Sequence, residues 1–142
     1  PKFRSFNKPL VFGAERGCHP NSSLADQFPQ SPTSMRYTNS GGFVGYAGEI
    51  LRMIDQSDIR PHEDDQEMAC QYTIRYPDRV GLDYRAEIFL NLFDLKANDL
   101  EFVQVVGTQE NRAYRWRETG SIALILHGNG PAKNLLSTIH SN

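Results

Sequence analysis

Apolar positions recur along the chain in short blocks whose spacing predicts strands alternating with helices. Leu10-Val11-Phe12-Gly13-Ala14-Glu15 is an apolar run ending in small residues, the pattern of a buried strand whose carboxyl end opens into a loop. From Arg16 to Thr38 the pattern dissolves into Pro, Ser and Asn, an irregular connection long enough to flank or cover a site. Tyr37 to Gly45 sets three glycines around Phe43 and Val44, so backbone there must come close to a ligand or to another strand. Tyr46, Ile50 and Ile54, with Ala47 and Leu51 beside them, predict an amphipathic helix over Tyr46–Ile54. A second helix starts near Asp64, turns Met68, Ala69 and Tyr72 inward, and must end before Pro77. Ala86–Phe93, Leu100–Val106, Ala113–Trp116 and Ile122–Leu126 read as successive strands, and Pro131 suits the first turn of a last helix through Ile139. Strands mixed with helices point to an α/β or α+β sheet domain.

At 142 residues and 39% hydrophobic content the chain can bury one core. Its net charge of -2 comes from mixed signs, which excludes a nucleic-acid stripe and a polybasic membrane patch, and no apolar run approaches the roughly 20 residues of a membrane span. Cys18 and Cys70 fit no zinc spacing; they form either one disulfide or two free thiols. His19, His62 and His140 share no spacing with His127 and read as surface residues, while Trp116 and Tyr72, Tyr76, Tyr84 and Tyr114 read as packing.

Three polar clusters carry the candidate chemistry. His127-Gly128-Asn129-Gly130-Pro131-Ala132-Lys133 follows a strand with a metal-competent imidazole, a flexible turn and a lysine, a set that suits a metal-bound diphosphate; the competing reading is an ordinary strand-to-helix turn. Asn39-Ser40-Gly41-Gly42 lies at a second element edge. Asp64, Asp65 and Gln66, preceded by Glu63, stand at a helix start, where carboxylates either cap free N–H groups or face a sugar or an acceptor hydroxyl while Gln66 hydrogen-bonds hydroxyls. A glycosidase would need a second carboxylate opposite the first, and the pattern supplies none.

In order and wording these clusters resemble the glycosyltransferase domain of the procollagen lysyl hydroxylases. The matching text is Phe12-Gly13-Ala14-Glu15 with Cys18-His19-Pro20, Asn39 to Ala47, Asp64-Asp65-Gln66, Leu82-Asp83-Tyr84, and His127 to Lys133. The resemblance implies a GT-A-type α/β fold, a mixed sheet with flanking helices, and transfer of a hexose from UDP-glucose or UDP-galactose to a collagen-like or other glycoprotein acceptor in the endoplasmic reticulum lumen or secretory pathway. It implies His127 as a Mn²⁺ ligand, and Gly130, Lys133 and Asn129 as the UDP-binding group. Asn39, Ser40 and Gly41 would line the sugar pocket, with Asp64 or Asp65 and Gln66 contacting the transferred sugar or the acceptor. Family domains are about twice this long, and no Asp-x-Asp occurs here. Residues 1–142 are therefore expected to be the carboxyl-terminal half of one such domain, inactive without the amino-terminal half that completes the metal site. A catalytically silent scaffold and a metal-dependent phosphohydrolase are the competing expectations.

Overall fold

The computed structural model describes residues 1–57, 64–106 and 112–140; Glu63 and His62 lie outside them. A short helix, α1 (Lys2–Ser5), leads into β1 (Leu10–Glu15), all six residues of which are buried. This strand is the spine of a mixed sheet in the order β2-β1-β3, with β2 (Tyr37–Gly45) antiparallel and β3 (Val80–Asp83) parallel to it. The parallel pair is joined through two helices, α2 (Ala47–Ser57) and α3 (Asp65–Arg75). Beyond β3 come β4 (Phe89–Asn91), β5 (Leu100–Gln104), β6 (Arg112–Trp116), β7 (Ile125–His127) and α4 (Lys133–His140). β4 and β7 pair in parallel, and β5 and β6 form an antiparallel ribbon. The architecture is a mixed α/β domain, as the sequence pattern predicts. No helix among the described residues is long and apolar enough to cross a membrane.

The core is built from Leu10, Phe12, Ala14, Leu82, Leu90, Leu92 and Trp116, closed on one side by Ala69, Cys70 and Tyr72 of α3. Each is buried, so the hydrophobic effect on these side chains holds α3 against β2 and β4 against β1. Glu49 in the first turn of α2 is the main polar clamp: its carboxylate accepts from the Tyr72 hydroxyl at 3.0 Å and from Arg79 Nε at 2.9 Å. Hydrogen bonds from Arg79, and then from Tyr72, hold the Glu49 carboxyl below the usual carboxylate range, against the upward pull of burial.

Four sequence expectations change. β3 is an additional strand, since Val80-Gly81-Leu82-Asp83 is too short and too close to Pro77 to stand out as a run. The expected strand Ala86–Phe93 shrinks to Phe89–Asn91: Ala86 takes a left-handed φ of 52°, and the buried Asp83 carboxylate accepts from the N–H groups of Glu87, Ile88 and Phe89 at 2.7 to 2.9 Å. Ile122–Leu126 becomes Ile125–His127, because Leu124 and Ile125 both donate to the Ile88 carbonyl before the ladder begins. The Arg16–Thr38 stretch contains a 3₁₀ helix at Ser22–Gln27 capped by the Asn21 side chain, and β2 begins at Tyr37. Cys18 and Cys70 are free and buried, and desolvation pushes the Cys70 thiol up to about 12.

Candidate functional site

The site forms at the carboxyl ends of β1, β4 and β7, where open α/β sheets collect their ligands. Along β1 the pairing with β2 slips between Phe12, opposite Phe43, and Gly13, opposite Asn39. Ser40, Gly41 and Gly42 are thereby pushed out as a bulge, a device that re-aims backbone next to sites. Side chains satisfy the bulge: Gly41 N donates to Asn39 Oδ1 at 3.0 Å and Ser40 N to Gln66 Oε1 at 2.6 Å. The Asn-Ser-Gly-Gly cluster is thus brought against the helix-start cluster on α3.

Both clusters meet on Glu15, the last residue of β1, which is only 3% exposed. Asn39 Nδ2 and Gln66 Nε2 donate to its Oε1 at 3.0 and 3.2 Å, and Asn129 Nδ2 donates to Oε2 at 2.8 Å. Each amide is aimed by its own oxygen, which accepts a backbone N–H from Gly41, Ser40 and Phe93 respectively. One carboxylate therefore ties β1, β2, α3 and the loop after β7 together through neutral donors. Burial raises the Glu15 pKa, and the bonds from Asn39 and Asn129 oppose that rise.

His127 ends β7 and stands directly across the parallel ladder from Asn91 at the end of β4. Its Nδ1 lies 2.9 Å from Asn91 Oδ1. The imidazole rests on Gly41: a β-carbon there would fall 2.0 Å from its Cε1, so only glycine fits. Burial, and then the charge of Lys133, lowers the His127 pKa, which favours the neutral ring that a metal ligand must be.

Other expected site residues divide by what their atoms already bind. Asp64 is the N-cap of α3, accepting from Gln66 N at 2.8 Å and Glu67 N at 3.3 Å, so the capping role holds for this carboxylate. Gln66 has both ends of its amide committed to Glu15, Thr38 O and Ser40 N, and the expected hydroxyl-binding role gives way to a positioning one. Asp65 is exposed on the site side, 3.5 Å from Ser40 Oγ. Gly130, at φ 54°, opens the 3₁₀ turn Gly130–Ala132, and Lys133 follows, exposed, as the first residue of α4. Sequence reasoning gave Glu15 no role beyond closing a strand motif and did not mention Asn91. The signal for each was a polar residue ending or interrupting an apolar buried run.

Known proteins match this chain over nearly its whole length. A family model described as the PLOD GT domain matches residues 1–141. An uncharacterized protein of Acanthamoeba polyphaga mimivirus is 31% identical over 138 residues, covering 96% of this chain and 28% of that protein. The multifunctional procollagen lysine hydroxylase and glycosyltransferase of Rattus norvegicus is 35% identical over 140 residues, covering 93% of this chain and 18% of that protein. Its Caenorhabditis elegans counterpart is 36% identical over 140 residues, with 92% and 18% covered. The chain thus spans between about a fifth and just over a quarter of the length of these relatives.

Proposed function

This chain belongs to the PLOD GT domain family, the glycosyltransferase domains of the procollagen lysyl hydroxylases, and on that premise we propose that it serves a GT-A-type hexosyltransferase. The donor is UDP-glucose or UDP-galactose, the acceptor a hydroxylysine-linked sugar on a collagen-like protein, and the setting the endoplasmic reticulum lumen or secretory pathway. The observation that carries the reading is the joining of Asn39 and Asn129 on Glu15 at the strand ends, with Asp65 beside Ser40 and His127 seated on Gly41 of the same bulge, and Lys133 following on α4.

A neutral imidazole seated on Gly41 fits one vertex of a divalent ion such as Mn²⁺. Among the described residues no three His, Cys, Asp or Glu side chains gather into a metal site, so His127 is a single ligand in this reading. When bound, such an ion screens the charge developing on a leaving diphosphate. The chain's own residues do the rest. Lys133 offsets diphosphate charge, and the left-handed turn at Gly130 leaves room beside the backbone for phosphate oxygens. Asn39 is fixed by Glu15 and Gly41 and shapes the sugar pocket together with Ser40. The sugar C–O bond to the diphosphate breaks with its electron pair on the departing oxygen, the acceptor hydroxyl oxygen bonds to the same carbon, and Asp65 takes the hydroxyl proton.

The test is UDP release from UDP-glucose and UDP-galactose by the full natural protein, with Mn²⁺ present and chelated. Manganese-dependent release that falls in Asp65→Asn while UDP affinity holds supports the reading. Absence of turnover with common UDP-sugars would favour a silent scaffold, and cleavage of simple phosphate esters without a sugar nucleotide would favour a phosphohydrolase.

A further inference from the structure

We propose that Asn91 is a positioning residue that locks His127 in the Nδ1–H tautomer and so turns the lone pair of Nε2 to the site. Asn91 is fully buried, in a strand whose neighbours Leu90 and Leu92 are apolar and equally buried. A carboxamide in such a place is costly unless both ends are bonded, and both are. Its Nδ2 donates to the Ala14 carbonyl on β1 at 2.9 Å. That carbonyl accepts only, so it fixes which way the amide points: Nδ2 to β1, Oδ1 to His127. Oδ1 in turn accepts only, so the ring nitrogen 2.9 Å away must carry the proton. The opposite tautomer would set two lone pairs against each other, and flipping the amide would aim its oxygen at the Ala14 carbonyl.

The ladder and the bulge make the arrangement rigid. Asn91 and His127 are register partners in a parallel pair, so their spacing follows from the sheet rather than from flexible side chains. On the far side of the ring Gly41 supplies a floor, with the would-be β-carbon 2.0 Å from Cε1. The ring is therefore held by an amide at Nδ1 and by backbone beneath it. Among the described residues no hydrogen bond reaches Nε2. A ligating imidazole held through its other nitrogen has its orientation and tautomer set before the ion arrives. The use of Nε2 as a metal ligand rests on the transferase reading; the tautomer does not.

The experiment uses the metal-free full chain with ¹⁵N-labelled histidines. The ring nitrogens of its four histidines are read by two-bond ¹H–¹⁵N correlation at a pH where the rings are neutral, with His127 identified by its loss in His127→Gln. The wild type should show His127 protonated at Nδ1, in about tenfold excess over the other tautomer, the preference one buried hydrogen bond confers. A dominant Nε2–H form would overturn the proposal. In Asn91→Leu, with the fold verified by near-ultraviolet circular dichroism, that excess should fall by about tenfold; an unchanged tautomer in the folded variant would also overturn it. Should the leucine variant not fold, the wild-type spectrum decides alone. Adding Mn²⁺ separates the two readings: broadening centred on Nε2 supports the ligand role, and an Nδ1–H ring untouched by Mn²⁺ retires that role while the tautomer assignment stands.

Discussion

Replacing Glu15 by alanine removes one acceptor and leaves three amide groups aimed at empty space. Asn39 is buried and loses the only acceptor found for its Nδ2 among the described residues; Gln66 keeps the Thr38 carbonyl, and half-buried Asn129 can turn to water. An orphaned buried donor costs about 1 to 3 kcal/mol, and bonds to a charged acceptor sit toward the upper part of that range. Removing the carboxylate also removes the penalty of burying a charge, which the raised Glu15 pKa records. The balance is a loss of about 2 to 3 kcal/mol, large for one substitution and traceable to one broken network. In urea, at a slope of about 2 kcal/mol/M, the midpoint should drop by about 1 to 1.5 M with the slope unchanged. Glu15→Gln keeps an acceptor for Asn39 and Gln66 and sets an NH₂ against Asn129, so it should lose only about 1 kcal/mol. An alanine variant within about 0.5 kcal/mol of wild type would show instead that the amides rehydrate without cost.

Gly41→Ala should destabilise by about 1 to 3 kcal/mol by driving a β-carbon into the His127 ring, whereas Gly48→Ala, which meets nothing within 4 Å near the start of α2, should stabilise by up to about 1 kcal/mol; thermal unfolding of the two variants reads both signs. The Glu49 clamp sets an acid limb. Its folded pKa lies below the unfolded value, so its contribution is complete above the ordinary carboxyl pKa and is lost as pH falls through the folded pKa; melting temperatures between about pH 5 and pH 2 should decline less steeply in Arg79→Leu. Glu15 has the opposite sign, its folded pKa being raised, so its contribution fades as pH rises from the unfolded to the folded value. Cys18 and Cys70, both buried with raised pKa values, should resist iodoacetamide at neutral pH in the native protein and react fully in denaturant, as mass spectrometry would show.

What could be read from the sequence was whatever a local pattern specifies. The run at Leu10–Glu15 announces a fully buried strand, four-residue spacing announces α2, and Pro77 closes α3 before β3. Three site clusters stood out because Gly and Pro punctuate them. Their meeting point did not, since Glu15 binds Asn39, Gln66 and Asn129 at separations of 24, 51 and 114 residues. Asn91 was hidden for the same reason: it sits in an apolar stretch, and its partners are distant in sequence, His127 brought opposite by strand pairing and the Ala14 carbonyl reached by the side chain across to β1. The expected strand at Ala86 failed because a side chain, Asp83, outcompetes a ladder for three backbone N–H groups.

Metal-assisted binding of a diphosphate leaving group at these strand ends is tested most directly by titrating UDP into the full natural protein with and without Mn²⁺, for wild type and for His127→Ala. Mn²⁺ should strengthen UDP binding to the wild type, and this gain should disappear in the variant, which stays folded at a melting temperature lowered by the orphaned Asn91 Oδ1. An equal Mn²⁺-dependent gain in both proteins would contradict the ligand role of His127.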